Sequence, residues 1–381
     1  MEIRRWSQVI TVLSVSLLLT VTNTTPASGG DNPYNISVFK SVGDWSTAGY
    51  KPDLLADEII FHQDSSIWIM NTSSSIKKQL IYSNESIDYT FTGPKFSPDG
   101  EKIVFIQRGK PTGFFLNVLE KNGTKWDESA TLVTIYTTEK LGLRQPSFSS
   151  NGNTVIYYSL EGGGKGDIWS ICTDSTNRTQ LTFDGEGGYY PSYSADGDKI
   201  IYGRSNSRGY HEIWIMNSDG SSQKRILDDT WYPERPVFMP NGQIMFESAR
   251  VSPNSDNVGA PSIWMMEQDG SNRTLLVPSV ISSVGSTDPT INRNGTRIAF
   301  EHGIGESFRL YIVDDPDGDG EWEDSDGDHV ADICDGYPFD PERGYIKDDD
   351  DLIPGFGSGS CMISVILAVP VVLRRKRAPQ M

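Results

Sequence analysis

Six prolines at near-regular spacing constrain this chain more than any other feature. Pro52, Pro94, Pro146, Pro191, Pro236 and Pro289 recur every 42 to 53 residues along its 381 residues. Repetition at such a period marks an array of units that bury their apolar faces against one another. The copy within 190–229 shows the pattern most fully. The proline is followed by an apolar/polar alternation and then a Gly-containing turn: Ser97-Pro98-Asp99-Gly100, Ser149-Ser150-Asn151-Gly152, Ser194-Ala195-Asp196-Gly197, Met239-Pro240-Asn241-Gly242 and Asn292-Arg293-Asn294-Gly295. Asp-Gly and Asn-Gly suit a tight hairpin in which both central residues take positive φ.

An apolar strand follows each turn (Ile103–Ile106, Val155–Tyr158, Ile200–Tyr202, Ile244–Phe246, Ile298–Phe300), and the first copy, without the Gly, reads Glu58–Phe61. A third strand carries an aromatic: Ile67–Met70, Ile168–Ile171, Ile213–Met216, Ile263–Met266 and Leu310–Val313, with Phe114–Leu119 in the second copy. A second turn leads to a fourth strand such as Lys224–Leu227 or Thr274–Val277. Four short strands per copy are propeller blades. The expectation is an all-β, six-bladed β-propeller of four-stranded blades over 31–313. The sixth copy lacks an obvious fourth strand, and the β-prone run Ile36–Val42 is placed to supply it and remove a free edge. The Trp and Met residues of the third strands read as packing between blades.

These residues resemble the TolB-type (WD-like) β-propeller repeat, Pro-x-Phe-Ser-Pro-Asp-Gly, Ile-x-Phe, Ile-Trp-x-Met. Residues 94–106 and 191–217 match it closely, and the resemblance spans about residues 50–313. It implies the propeller fold; propellers serve binding, scaffolding and catalysis alike.

Met1–Gly30 reads as a secretory signal. Arg4 and Arg5 precede the apolar stretch Val9–Val21, and Thr25–Gly29 supplies small residues for cleavage. The alternative is an N-terminal membrane anchor, for which the run is short. Eight Asn-x-Ser/Thr sequons, at Asn23, Asn35, Asn71, Asn84, Asn122, Asn177, Asn272 and Asn294, accord with export. Cys172, Cys334 and Cys361 are not a disulfide framework. Cys172 reads as a buried small residue of a third strand, with a Cys172–Cys334 bridge left open.

Composition shifts at Asp314. From Asp314 to Asp351 there are 17 Asp or Glu against Arg343 and Lys347, a net charge of −15 out of −18 for the whole chain. Such a chain is not built for nucleic acid. Asp315, Asp317 and Asp319, then Asp324, Asp326 and Asp328 with Asp332 beyond, alternate carboxylates with small residues. That spacing folds several oxygens around one hard cation, and packed carboxylates repel one another without one. The stretch Asp324–Pro341 resembles a thrombospondin type 3 calcium repeat, with His329 in place of the usual Gly. The resemblance implies calcium on Asp324, Asp326, Asp328 and Asp332. Asp315, Asp317 and Asp319 are a looser match, with Glu323 and Asp326 as later ligands. Residues 314–342 are thus expected to be a calcium segment that stiffens a spacer, and 343–353 an acidic linker.

Ile353–Gly357 is followed by a mostly apolar segment, Ser358–Leu373, and then Arg374–Arg377. This order resembles the PGF-CTERM sorting signal of archaeal surface proteins, with Pro354, Gly355 and Phe356 at the motif positions and the basic cluster fitting positive-inside retention. It implies processing of 354–381 by an archaeosortase-like enzyme and replacement by a lipid anchor; a plain membrane anchor is the alternative. Either places the propeller outside the cell, and the resemblance implies an archaeal cell envelope.

No Gly-x-Ser-x-Gly elbow and no His-Glu-x-x-His motif is present, and the four His are scattered. The expected role is therefore non-catalytic: binding a protein or glycan of the envelope or surface layer. The alternative is a polysaccharide lyase or hydrolase working from the channel through convergent carboxylates. Residues just ahead of each inner strand are expected to line one channel mouth: Arg144, Gln145, Tyr189, Tyr190, Glu234, Arg235 and Asp288. Tyr and Arg are favoured interface anchors.

Overall fold

The structure, a computed structural model, describes residues 44–45, 51–325 and 331, apart from 75, 83–88, 110–112, 124–125, 127–129, 140–141, 186, 251–257, 278–284, 305–306 and 316. Outside the described residues lie the signal segment, Ile36–Val42, Asp326, Asp328, Asp332, Cys334, Cys361 and the motif Pro354, Gly355, Phe356. No helix among the described residues is long and apolar enough to cross a membrane.

The strands form six four-stranded antiparallel sheets, each a blade. Blade one holds Asp53–Leu55, Glu58–Gln63, Ser66–Asn71 and Lys77–Ile81. Blade two holds Tyr89–Phe96, Lys102–Gly109, Phe114–Glu120 and Thr131–Thr138. Blade three holds Arg144–Phe148, Thr154–Ser159, Asp167–Cys172 and Thr179–Gln180. Blade four holds Tyr189–Tyr193, Lys199–Ser205, His211–Asn217 and Lys224–Leu227. Blade five holds Pro233–Phe238, Ile244–Arg250, Val258–Met266 and Thr274–Val277. Blade six holds Ser286–Ile291, Arg297–Ile304 and Ser307–Asp314. Its fourth strand is Asp44–Trp45, paired with Arg309 and Phe308.

The N-terminus thus closes the ring, through a strand just downstream of Ile36–Val42.

The Gly turns differ from the tight hairpin expected. Within them only Gly100, Gly152, Gly197, Gly242 and Gly295 take positive φ, between 70° and 96°. The preceding Asp or Asn caps instead. Asp99 Oδ1 accepts from Glu101 N–H at 3.0 Å and from Ser97 Oγ at 2.5 Å, while Ser97 Oγ accepts from Lys102 N–H at 2.8 Å. Ser194, Asp196 and Lys199 repeat the arrangement. Side-chain oxygens take over the amides that a two-residue turn would have paired across the ladder.

The core is divided among the blade interfaces. Six apolar clusters are found, each joining residues of two neighbouring blades. The second strands supply the most buried positions, such as Phe61, Phe105, Tyr157, Tyr202, Phe246 and Phe300. The third-strand Met residues are core, but the Trp residues divide. Trp264 is fully buried, whereas Trp68, Trp169 and Trp214 are half-buried. A cation covers each of these three: Lys77 at 4.3 Å, Arg178 at 3.9 Å and Arg204 at 4.5 Å from the ring centre. Cation–π contact and the apolar stem together shield such an indole. Cys172 is half-exposed, not buried, with Asn177 Nδ2 donating towards its Sγ at 3.7 Å.

Polar clamps reinforce closure. Asp53 of blade one pairs with Lys95 of blade two at 3.1 Å, accepts from Phe96 N–H at 2.7 Å, and accepts from Thr290 Oγ1 of blade six at 3.2 Å. Arg297 of blade six reaches Asp57 at 2.8 Å and Thr72 Oγ1 at 3.0 Å in blade one. Asp53→Ala removes three interblade bonds and takes the carboxylate from the partly buried Lys95, which keeps Pro52 O at 3.2 Å. It is expected to cost about 2–4 kcal/mol and to lower the melting temperature by several degrees, whereas Arg208→Ala, whose side chain is 77% exposed, should melt with the wild type.

Candidate functional site

The residue before each repeat proline is the key to the channel. Lys51, Gln145, Tyr190, Arg235 and Asp288 all take positive φ, between 43° and 54°, and Gly93 does so at 61°. A residue before proline normally stays extended, and a left-handed non-glycine is uncommon. Here the chain has reason to bend. Proline has no N–H for the ladder, and the register between inner and second strands slips across it: between Thr92 and Lys95, Arg144 and Ser147, Tyr189 and Ser192, Glu234 and Val237, and Thr287 and Thr290. Each slip is a bulge that re-aims a side chain. The bulges of blades two to six, together with the left-handed Lys51 ahead of Pro52 in blade one, bring one residue per blade to a single mouth.

At three of these left-handed residues the amide is captured from the neighbouring blade. Glu301 of blade six accepts from Lys51 N–H at 2.9 Å. Gln145 of blade three accepts from Tyr190 N–H at 2.8 Å. Glu247 of blade five accepts from Asp288 N–H at 2.5 Å. Glu247 and Glu301 are both almost fully buried and hold equivalent second-strand positions.

Arg235 ties the charged half of the mouth together. It meets Glu247 Oε2 at 2.6 Å and Asp288 Oδ1 at 3.0 Å, and lies 5.2 Å from the centre of the Tyr190 ring. Burial opposes its charge, but Glu247 and then Asp288 outweigh that and drive its pKa above the usual guanidinium value. Burial pushes the Glu247 carboxyl up, against the pull of Arg235. Burial likewise lifts the Tyr190 phenol to about 12. The Lys51 ammonium is held below its usual range by burial, with Arg235 and Arg144 adding to the effect and Asp288 opposing it.

Lys51, Gln145, Tyr190, Arg235 and Asp288 line a cavity of about 160 Å³. It shares Asp53, Lys95 and Phe238 with a wider cavity of about 460 Å³ on the side of the Gly turns. The two cavities share a wall at the Asp53–Lys95 pair.

Of the seven residues expected at the mouth, Gln145, Tyr190, Arg235 and Asp288 line the cavity; Arg144, Tyr189 and Glu234 do not. Each of these stands one position earlier, so the strand alternation turns it to the other side. Arg144 is exposed. Tyr189 stacks between Tyr158 at 5.3 Å and His211 at 5.1 Å, and Glu234 pairs with His211 at 3.3 Å. Lys51 was missed, although it precedes Pro52 just as Tyr190 precedes Pro191. The buried Glu247 and Glu301 carry no local signal, because only the ring brings them beside another blade's bulge.

A second polar cluster lies beyond blade six. Carboxylate oxygens of Asp315, Asp317 and Asp319 lie within 4.8 Å of one another, an arrangement able to hold a metal ion. Burial, then Asp317 and Asp319, raise the Asp315 carboxyl. Asp324 is also described; its three partners in the expected calcium set are not.

Left-handed strain at the mouth is open to test. Lys51→Val places a β-branched residue where φ is +43°. It is expected to melt below Lys51→Gly by the equivalent of about 1–3 kcal/mol, since both variants lose the same ammonium and only the backbone penalty differs.

The profile of the TolB beta propeller domain family matches residues 63–279. Among solved structures, the chain is similar to a protein described as a TolB from Agrobacterium tumefaciens, with 20% identity over 67% of this chain and 85% of that one, at a TM-score of 0.52. It is similar to TolB from Acinetobacter baumannii at 17% identity, covering 70% and 66% of the two chains, with a TM-score of 0.48. The β-propeller domain of the Trilobed protease from Pyrococcus furiosus is similar at 13% identity, 74% and 82% coverage and a TM-score of 0.43. At these identities the likeness speaks to fold alone. A search of the curated proteins finds no match.

Proposed function

The chain belongs to the TolB β-propeller domain family, and from that premise we propose that it is a binding protein of the cell surface, engaging a protein or glycan of the envelope at the pre-proline mouth of its channel. The observation that carries this reading is the ring of left-handed residues. Strained backbone persists where surrounding structure over-determines it, and it clusters at sites of function. Five of the six positions bear a side chain, and their chemistry differs from blade to blade: ammonium, amide, phenol, guanidinium and carboxylate. A mouth of this kind offers an aromatic anchor and charged donors side by side, the composition of an interface hot spot.

The carboxylates at the mouth are already committed, which favours binding over acid–base chemistry. Glu247 and Asp288 both face Arg235, and Glu301 and Glu247 cap backbone amides. They act as positioning groups, and a general acid or base needs a free proton path to substrate.

The remainder of the reading rests on sequence. The signal-like segment 1–30 and the tail 354–381 place the ring outside the cell, held by a membrane or lipid anchor after processing at Pro354, Gly355 and Phe356. The acidic segment takes calcium. Asn122, Asn177, Asn272 and Asn294, all exposed, are the described sequons best placed to carry glycans.

The test is retention from a native envelope extract by immobilised protein, with eluted proteins and glycans identified and the same species then measured against variants. Tyr190→Ala and Lys51→Gln should each weaken retention about tenfold or more while keeping the wild-type circular dichroism spectrum. Undiminished retention by both variants would remove the mouth from consideration.

A further inference from the structure

The acidic segment does not leave the ring as a free spacer. Asp315 N–H donates to Thr296 O at 2.9 Å, which keeps the chain against the hairpin of blade six. Gly320 then presses on the same hairpin: a Cβ there would meet Asn294 O at 2.4 Å. Trp322 is 4% exposed, and its indole N–H donates to Gly295 O at 2.8 Å. Its ring joins the apolar cluster between blades five and six, with Met239, Met245, Ile298 and Tyr311. Asn241 of blade five donates to Glu321 at 3.2 Å, and the fully buried Ala331 donates its N–H to Leu275 O, also of blade five, at 2.9 Å. The segment runs from the end of blade six back across blade five.

The turn that starts this path is made of carboxylates. Asp315 is 6% exposed. Its Oδ2 accepts from Gly320 N–H at 2.8 Å and closes the loop. Its Oδ1 is buried and has no hydrogen-bond partner. An orphaned, buried carboxylate oxygen is costly. Its neighbours in the cluster are the carboxyl groups of Asp317 and Asp319, oxygen acceptors like itself. Calcium sits about 2.3–2.6 Å from each oxygen ligand, so oxygens sharing one ion lie within about 5 Å of one another. The 4.8 Å limit on this cluster meets that condition. Asp317 and Asp319 are exposed, which leaves room for the waters that complete a calcium shell. All donors are oxygen, the preference of a hard divalent cation.

We infer that Asp315, Asp317 and Asp319 hold a calcium-type cation whose function is to clasp the acidic segment onto blades five and six, so that ion binding stabilises the ring itself. This rests on the calcium reading above and departs from the spacer role expected from the sequence. Without the ion, three carboxylates repel at the root of the segment that carries Trp322 into the core. With it, the orphan oxygen is satisfied and the root is fixed.

The experiment uses the full chain, calcium chloride as the probe, isothermal titration calorimetry and thermal melting followed by tryptophan fluorescence. A double variant, Asp317→Asn with Asp319→Asn, changes only exposed side chains and keeps the fold intact. Wild type should bind calcium, melt about 5 °C or more higher at a hundredfold excess over Kd, and lose that gain on chelation. The double variant should bind one ion fewer and melt at the same temperature with and without calcium, at or above the chelated wild type because two of the three repelling charges are gone. If wild type binds calcium without a change in melting, the clasp is wrong while the calcium reading stands. If it binds none, both fall. If the double variant binds and melts like wild type, the site lies elsewhere in the segment and the assignment is overturned.

Discussion

A propeller without a filled centre depends on closure. Its apolar contacts lie between neighbouring blades, so an unjoined pair would expose two apolar faces and a free strand edge at once. In this chain the junction of blades one and six is secured at three radii. Near the axis, Asp53 gathers Lys95, Phe96 N–H and Thr290. At mid-blade, Leu54, Ile59 and Phe61 pack on Ala299, Leu310 and Ile312. At the rim, Asp44–Trp45 completes the last sheet, and Arg297 reaches Asp57 and Thr72. The hydrophobic contact supplies adhesion; the polar contacts fix which blades meet and in what register.

Closure and the mouth are linked through the bulges. Each inner strand must carry a proline and still pair with its neighbour. In blades two to six a register slip permits this and puts one residue per blade into left-handed backbone; in blade one Lys51 takes the same conformation just ahead of the strand. Glu301 captures the Lys51 amide across the closing junction, and Glu247 and Gln145 capture the corresponding amides at two others. The charged residues are concentrated where blades five, six and one meet, while Gly93, Gln145 and Tyr190 leave the opposite arc uncharged. The mouth is asymmetric because its six equivalent positions hold unlike residues on one shared backbone geometry. That is how a repeat fold acquires a specific surface without altering its repeat.

The acidic segment shows composition and structure parting ways. Its sequence reads as a calcium-stiffened spacer, yet Trp322 and Ala331 enter the interface of blades five and six. Two buried residues among many exposed carboxylates are enough to change the role, because a buried indole with a bonded N–H outweighs weak, screened surface charge.

The six blades, their four strands and the need for a strand from the N-terminal side were legible in the sequence, because proline, Gly turns and period-2 alternation are local signals written once per repeat. So was the carboxylate spacing at Asp315, Asp317 and Asp319. The site was half legible. Proximity to the repeat proline identified Gln145, Tyr190, Arg235 and Asp288, and the same rule applied to the first copy would have added Lys51. It also admitted Arg144, Tyr189 and Glu234, since a strand turns successive residues to opposite sides and only the bulge geometry says which one faces the channel. Glu247 and Glu301 stood wholly outside its reach. Their sequence neighbours mark them as ordinary second-strand residues; their role comes from the next blade, placed beside them by the closure of the ring. Local pattern sets what each blade is. Which side chains meet across blades is decided only by tertiary packing, because those contacts join residues 41 to 250 positions apart whose register no local signal records.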